Sequence, residues 1–523
     1  MTLSPNLHSG HPRRKTGQGL ESAFRVWVAR RRVDKQGPGA YLLQARPIAS
    51  FRHLIRLLLS LAAGTPEALH CVSRALAFAL MPLIVIISLL GMSCASAGTF
   101  VTGSVFNASG GDHGTISIDW AGTRQVIDGF GASTAGVNPK LSSKLMDFFY
   151  TDRGIHLSFI RDTIWPSVAD CEAGLARGKC VASSSATISK NDLANAQAAV
   201  ARGARVWGAE WSPPGSMKSN GQFLKGGSFI GNAANFANLA ILQTSFVTLL
   251  DKTYGITLYA LSPQNEPDVS TYYASCTWTA QQLHDFVPYL AQALSSAGYG
   301  SVKLMIAEEG VWGNSYSTAA MNDPAVASKI SILAAHEYKG VLASPLSWNN
   351  LTTQHIWETE VGDSGAYDDS ISSGLTYARM IHGALTSANV NAWHYWSLSG
   401  ISFQDNEGLT DSFGHPAKRA YTLGNYSKFV LPGWSRVDVA NKTGLLVSAF
   451  KGPDTGAAIV VVNSGPAVAN QQFNVGASMG ASVVPWITSR KSSLQAQAPV
   501  PVSSGSFTYG IPGDSVVTFA STR

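Results

Sequence analysis

Between residues 123 and 425 the chain alternates short apolar runs with polar turns and longer stretches of helical period. The short runs read as strands buried on both faces, and the periodic stretches read as helices. Candidate strands are QVIDGFG (125–131), HLSFIRD (156–162), RVWGAEW (205–211), ITLYALSPQ (256–264), VKLMIAE (302–308), ISILAAH (330–336), TQHIWETE (353–360) and VNAWHYW (390–396). Between them, NDLANAQAAVARGA and TAQQLHDFVPYLAQALSSAG carry apolar residues on one helical face, with a glycine placed as a stop.

Eight strands alternating with helices over roughly 300 residues suit an α/β fold of the (β/α)8 TIM-barrel type. An open doubly wound sheet would want a G-x-G-x-x-G turn after an early strand, and GFGASTAG lacks that spacing. After LGNYSKFVLPGW the texture changes. Residues 434–523 give β-rich runs such as LLVSAFKG, AAIVVVNSG and DSVVTFAS, separated by turns rich in Gly, Pro, Asn and Ser. This pattern predicts an antiparallel β-sandwich, to which GTISIDWAG (114–122) could add a strand. The expected plan is a barrel over 123–425 and a side domain from 98–122 plus 426–523.

The chain has 523 residues, 45% hydrophobic and 13% charged, enough for a large core and against extensive disorder. Its formal charge of +6 misleads until it is divided. Residues 1–97 hold twelve Lys/Arg and three Asp/Glu, leaving 26 basic and 29 acidic residues in the remainder, a formal −3. The basic excess therefore belongs to the N-terminal extension, and nucleic-acid binding by the globular part is not expected.

That extension reads as targeting. ALAFALMPLIVIISLLGMSC follows Arg74 and precedes ASA at 95–97, the pattern of a secretory signal with a cut after Ala97. An uncleaved membrane anchor is the competing reading, since the run is long enough to span a bilayer at ~20 residues. A lipid-modified Cys94 is disfavoured because Gly91 stands where such signals carry Leu. Residues 1–71, with RRK and RRR, fit no signal, and the true start is expected near Val72. The expectation is a secreted or periplasmic monomer that meets a membrane only through its signal.

Cleavage would leave Cys171, Cys180 and Cys276. In an exported protein the close pair Cys171/Cys180 is expected to form a disulfide, leaving Cys276 free, although pairing of Cys276 with either stays open. No Cys/His group has zinc-ligand spacing, so neither metal nor cofactor is expected.

In a barrel the C-terminal strand ends line the active site. Glu266 lies just past the fourth strand in SPQNEPD, and Glu360 ends the seventh in WETE, 94 positions later. Two carboxylates facing one pocket are what glycoside hydrolysis needs: one protonates the leaving oxygen, the other attacks the anomeric carbon or activates water. Alone, Asn-Glu-Pro is an acceptable turn. Its company changes the reading, because WSPPGSMKSNG, HEYKG and AWHYWSLSG put aromatic and polar side chains at other strand ends. Such rings stack on sugar faces while Asn, His and Arg supply directional hydrogen bonds.

These stretches, with GFGAS and LGNYSKFV in the same order, resemble glycoside hydrolase family 30 from about residue 126 to 433. The resemblance implies a retaining barrel enzyme with a tightly attached β-sandwich. It implies Glu266 as general acid/base, Glu360 as nucleophile and Asn265 as partner of the sugar 2-hydroxyl. Arg161 would keep the nucleophile ionised, although a core-edge salt bridge is the plainer reading of that residue alone. Trp211 and Trp396 would floor the subsite of the reacting sugar, and His336 and Tyr338 would be polar partners of the nucleophile. Tyr273 is read as a substrate platform, with loop packing the alternative for it and for Trp278.

Three acidic features stay ambiguous. Glu358, two residues before Glu360, would point to the same side of a strand, so alternation cannot separate the two, and the family pattern W-x-T-E favours Glu360. Glu210 could partner Arg161 or a lysine, or be a strand-edge charge. Glu308 and Glu309 read as supporting hydrogen-bond acceptors.

For substrate, the family includes xylanases that grip a glucuronic acid branch with an arginine after strand eight. Here residues 397–417 carry no Arg or Lys but hold Asp405, Glu407 and Asp411, which would repel a carboxylate. The expected activity is endo-β-1,4-xylan hydrolysis without strict glucuronate dependence, with β-1,6-galactan or β-1,6-glucan as alternatives. A non-catalytic glycan-binding protein is the alternative from another class, and an oxidoreductase falls with the missing dinucleotide motif.

Overall fold

The computed structural model describes residues 114–522, apart from 135–137, 175–179, 184–185, 314–315, 347–352 and 401–404. Residues 72–97, read from sequence as a secretory signal, and residues 1–71 lie outside the described residues.

Strand β1 (Ile116–Val126) belongs to the side domain. Eight strands then build the barrel: β2 (Gly129–Ser133), β3 (Phe159–Ile164), β4 (Arg205–Glu210), β5 (Leu258–Ser262), β6 (Lys303–Glu309), β7 (Ile332–Ala335), β8 (His355–Glu358) and β9 (Ala392–Ser399). They pair in parallel in chain order, and β8 pairs with β9, closing the ring. A short β10 (Gly408–Thr410) adds to β9 outside the ring. Every β3 residue is buried, as expected of strands covered by side chains inside and helices outside.

Large rings fill the barrel: Phe159, Trp207 and Trp357 pack together, with Trp207 and Trp357 centroids 6.0 Å apart. Small residues opposite make room. A Cβ at Gly131 would stand 2.4 Å from His394 Cδ2, so the glycine of GFGAS is set by packing against β9.

The outer helices start where the sequence offers caps. Helix Ala280–Ser296 opens with a Thr279/Gln282 capping box and buries Leu283, Phe286, Val287, Leu290 and Leu294, one face at i, i+3, i+4 spacing. Gly298, at φ 85°, follows its end, where a left-handed backbone is needed.

The side domain differs from two separate sheets. One ten-stranded sheet curls on itself, mostly antiparallel, around Phe473, Phe507 and Phe519 with centroids 4.8–5.1 Å apart. β1 is the link: it pairs antiparallel with Ser435–Ala440 and parallel with Val468–Asn474, joining the two layers through one strand. Helix Lys418–Ser427 fastens this sheet to the barrel, with Asn425 Nδ2 donating to the Trp486 carbonyl at 3.0 Å.

The strand ends differ from the sequence-based bounds by a few residues. The difference matters at β8, which ends at Glu358, so Glu360 lies in the following loop where strand alternation no longer applies. Cys171 and Cys180 are joined by a disulfide, and Cys276 is free and buried.

Candidate active site

The loop after β5 is tied to both neighbouring strands. The Asn265 N–H donates to the Glu210 carbonyl at 2.7 Å and the Glu266 N–H to the Glu308 carbonyl at 2.9 Å. Asp268 then accepts the Gly310 N–H at 2.7 Å. These bonds hold Glu266 at φ 48°, a left-handed backbone that costs a non-glycine residue ~1 kcal/mol or more. A side chain kept at that cost is aimed by its surroundings.

Arg161, from the middle of β3, is fully buried and organises the floor. Its Nη1 donates to Glu360 Oε2, and its Nη2 reaches Asn265 Oδ1 and Glu308 Oε1, both at 2.6 Å. The guanidinium also lies 4.4 Å from the Trp211 ring centroid. Because Asn265 points its oxygen at Arg161, its Nδ2 is left to face the cleft as a donor.

Glu360 takes a second bond from the Tyr338 hydroxyl at 2.7 Å. Burial works to raise its pKa, but the charges of His336 and Arg161 and these hydrogen bonds outweigh it, holding the group below the ordinary carboxylate value. His336 shows the converse: burial lowers its pKa, yet Glu360, Glu266 and Glu308 push it up to about 10.

The sequence reading made His336 a partner of the nucleophile. Its hydrogen bond goes instead to Glu266, Nδ1 to Oε1 at 3.1 Å, while Glu360 Oε1 stands at 3.7 Å. Tyr338 already occupies that Glu360 oxygen.

One carboxylate oxygen of Glu266, one of Glu360 and a ring nitrogen of His336 lie within 4.8 Å of one another. That is close enough for the three groups to share a metal ion. The separation is well under the ~6.5–9.5 Å that leaves room for a water between inverting carboxylates.

The cleft above has a volume of about 600 Å³. Trp211 and Trp396 form one wall, their ring centroids 6.2 Å apart. Tyr272 and Tyr273, 84% and 42% exposed, form another. Trp278 lies elsewhere, stacked on Phe229 at 3.9 Å, so it packs the loop.

The lining holds four carboxylates, Glu266, Glu360, Asp363 and Glu407, and no Lys or Arg among the described residues. Glu407 accepts the Trp396 indole N–H at 3.2 Å, and Asp363 is fixed by Asn406 Nδ2 at 3.1 Å. Asp363, Tyr272 and Trp165 were missed from sequence; an aromatic just past a strand end was the available signal for Trp165. Glu210 has neither Arg161 nor a lysine as partner. It accepts from Gln243, and burial pushes its carboxyl up to about 8. Both Arg161 Nη atoms are already taken.

Residues 187–371 match the glycosyl hydrolase family 30 TIM-barrel domain. Similarity extends over the described fold. The structure of a glycoside hydrolase family 30 subfamily 8 xylanase, Xyn30A, from Clostridium acetobutylicum is 32% identical, covering 78% of this chain and 100% of that one with a TM-score of 0.66.

The chain belongs to glycoside hydrolase family 30.

Other members stand at similar distance. A family 30 endoxylanase structure from Clostridium papyrosolvens C71 is 29% identical over 78% of this chain and 100% of that one, TM-score 0.63. Glucuronoxylanase XynC of Bacillus subtilis (strain 168) is 28% identical over 343 residues, 64% of this chain and 77% of that protein. The chain is thus an O-glycosyl hydrolase of a retaining family, and the short distance between Glu266 and Glu360 agrees with that stereochemistry.

Proposed function

We propose that this family 30 enzyme hydrolyses the backbone of β-1,4-xylan by double displacement, without requiring an acidic branch. Glu266 is the acid/base and Glu360 the nucleophile. The observation that carries the assignment is the contrast between two carboxyls less than 5 Å apart, within the 4.8 Å cluster. Glu360 is held ionised by Arg161 and Tyr338, whereas Glu266 bonds His336 and lines the open cleft.

In the first step Glu360 attacks the anomeric carbon as the Glu266 carboxyl gives its proton to the leaving oxygen. The C–O bond breaks and a glycosyl ester forms. In the second step Glu266 takes a proton from water, the water oxygen attacks the same carbon, and Glu360 leaves as carboxylate. Asn265 Nδ2 is placed to donate to the 2-hydroxyl, while Trp211 and Trp396 stack on the ring.

Similarity to named xylanases and a cleft lining of four carboxylates, with no Lys or Arg among the described residues, support a neutral xylan as substrate. The segment 72–97 supports export, with a mature N-terminus at Gly98.

The test is product analysis on xylan, glucuronoxylan, β-1,6-galactan and β-1,6-glucan. Xylo-oligosaccharides of retained configuration from unbranched xylan are expected, and none from Glu360→Gln. Hydrolysis only of a β-1,6-glycan would overturn the substrate. Turnover by Glu360→Gln would overturn the assignment of the nucleophile, and binding without products from wild type would favour a glycan-binding role.

A further inference from the structure

Glu358 is fully buried in the barrel, yet it is an acid with no cation bonded to it among the described residues. Burial and the nearby Glu337 carboxyl push its pKa well above the ordinary value, and its carboxyl group is spent on two peptide groups. Oε1 accepts the N–H of Glu360 at 2.9 Å, and Oε2 accepts the N–H of His394 at 2.9 Å. His394 returns a bond, its Nδ1–H meeting the Glu358 carbonyl at 2.9 Å, while its Nε2 takes the Trp207 indole N–H at 3.2 Å. Burial drives the His394 pKa down to about 3, so the ring is neutral and can donate at one nitrogen and accept at the other.

This linkage sits where the barrel wall is thinnest in register. β8 pairs with β7 at four positions but with β9 at one, Trp357 with Ala392. Beyond that pair, the Glu358 carboxyl group and the Trp396 N–H to Val361 carbonyl bond, 2.7 Å, carry the seam toward the cleft. On the other side the Glu360 carbonyl accepts the Glu337 N–H at 3.1 Å. Both polar groups of the Glu360 peptide are therefore fixed, one to each neighbouring strand.

We infer that Glu358 is a positioning residue for the nucleophile, an inference that rests on Glu360 being that nucleophile: its carboxyl group locks the Glu360 peptide to β9 and so sets where the Glu360 side chain meets Arg161 and the sugar. A buried ionisable group costs several kcal/mol unless its bonds repay it, and a displacement near 1 Å at a reacting group can cost ~100-fold in rate. A glutamine at 358 offers one oxygen to two N–H donors, so one donor must face an NH2 group.

The experiment compares Glu358→Gln, Glu358→Asp, Asp128→Asn and Glu360→Gln with wild type. Asp128 is the matched control. It is a buried carboxyl that accepts the Trp357 indole N–H at 2.7 Å and bonds His355 Nδ1 at 2.6 Å, and neither partner lines the cleft. kcat and KM are measured on neutral xylan, or on whichever panel glycan wild type cleaves. An activated 2-fluoro glycoside of the same sugar counts and labels competent sites.

Glu358→Gln is expected to lose about 10- to 100-fold in kcat per trapped site, with KM within ~3-fold, and to be trapped correspondingly slowly. Its acid limb of kcat/KM should move to higher pH, because a displaced Glu360 loses part of its contact with Arg161. Asp128→Asn should melt lower with kcat within about 2-fold of wild type. If Glu358→Gln does not fold, Glu358→Asp serves: it keeps the carboxyl group and withdraws the oxygens by one methylene.

Wild-type kcat per trapped site in Glu358→Gln or Glu358→Asp would overturn the inference, as would an equal loss in Asp128→Asn. Neither result touches the nucleophile assignment. That falls separately, if Glu360→Gln turns over or the label sits elsewhere.

Discussion

His336 donates to Glu266 while standing 3.7 Å from Glu360, so one buried cation serves two carboxyls of the cleft. Its pKa of about 10 keeps it charged through the neutral range. The charge is one of two that hold Glu360 below the ordinary carboxylate value. A group with a lowered pKa loses its charged form as pH falls through that pKa, so activity should fall on the acid side. Replacing His336 by Gln removes one cation and raises the Glu360 pKa. The acid limb of kcat/KM should then move to higher pH, with roughly 10-fold or more lost in kcat as Glu266 loses its anchor. An unmoved acid limb would contradict this account.

Glu407 faces the cleft beside Trp396, in the loop after β9. Burial raises its pKa, with Asp405 and Glu360 adding to the effect. Replacement by Gln keeps an acceptor for the indole N–H and removes the repulsion of an acidic branch. That repulsion is worth about 1 kcal/mol across a few ångströms of solvated cleft, so kcat/KM on glucuronoxylan relative to neutral xylan should rise roughly 5-fold. An unchanged ratio would mean that branches never approach Glu407.

Tyr273 and Trp278 should separate cleanly. Trp278 is 3% exposed and stacked on Phe229. Its replacement by Ala opens a cavity that should cost about 3–5 kcal/mol of stability, read by denaturant unfolding. Tyr273 is 42% exposed at the cleft, and Tyr273→Ala should leave the midpoint nearly unchanged while raising KM several-fold. A KM effect for Trp278→Ala larger than for Tyr273→Ala would reverse the assignment.

How much of this was legible depended on the kind of signal. The barrel strands could be read because runs such as LYALS and FIRDTI are apolar on both faces, and strand ends then pointed to Arg161, Asn265, Glu266, His336 and Glu360. The structure brings these residues together around one cleft. Asp363 was missed, and Glu407 could not be singled out from Asp405 and Asp411 as the acid lining the cleft, because these residues sit in loops, where no periodicity says which way a side chain faces. The part played by Glu358 was hidden by the assumption that its strand continued to Glu360. The curling of the side sheet depends on Ile116 pairing with Phe473, a contact between distant segments that no local pattern encodes.

Glu210 offers a test of stability rather than chemistry. It closes β4 with no exposure, accepts a bond from Gln243, and leaves its other oxygen without a protein partner among the described residues. Burial pushes its carboxyl up to about 8, against an ordinary 4.5. The sign follows from proton binding. Between those two values the folded state holds a proton that the unfolded chain has released, so stability falls as pH rises through that window and levels off above it. Glu210→Gln mimics the neutral acid and cannot ionise. Its melting temperature should match wild type near pH 5 and exceed it by a few degrees near pH 8, so the difference grows with pH. A difference that shrinks with rising pH would show that Glu210 is ionised and stabilising in the fold.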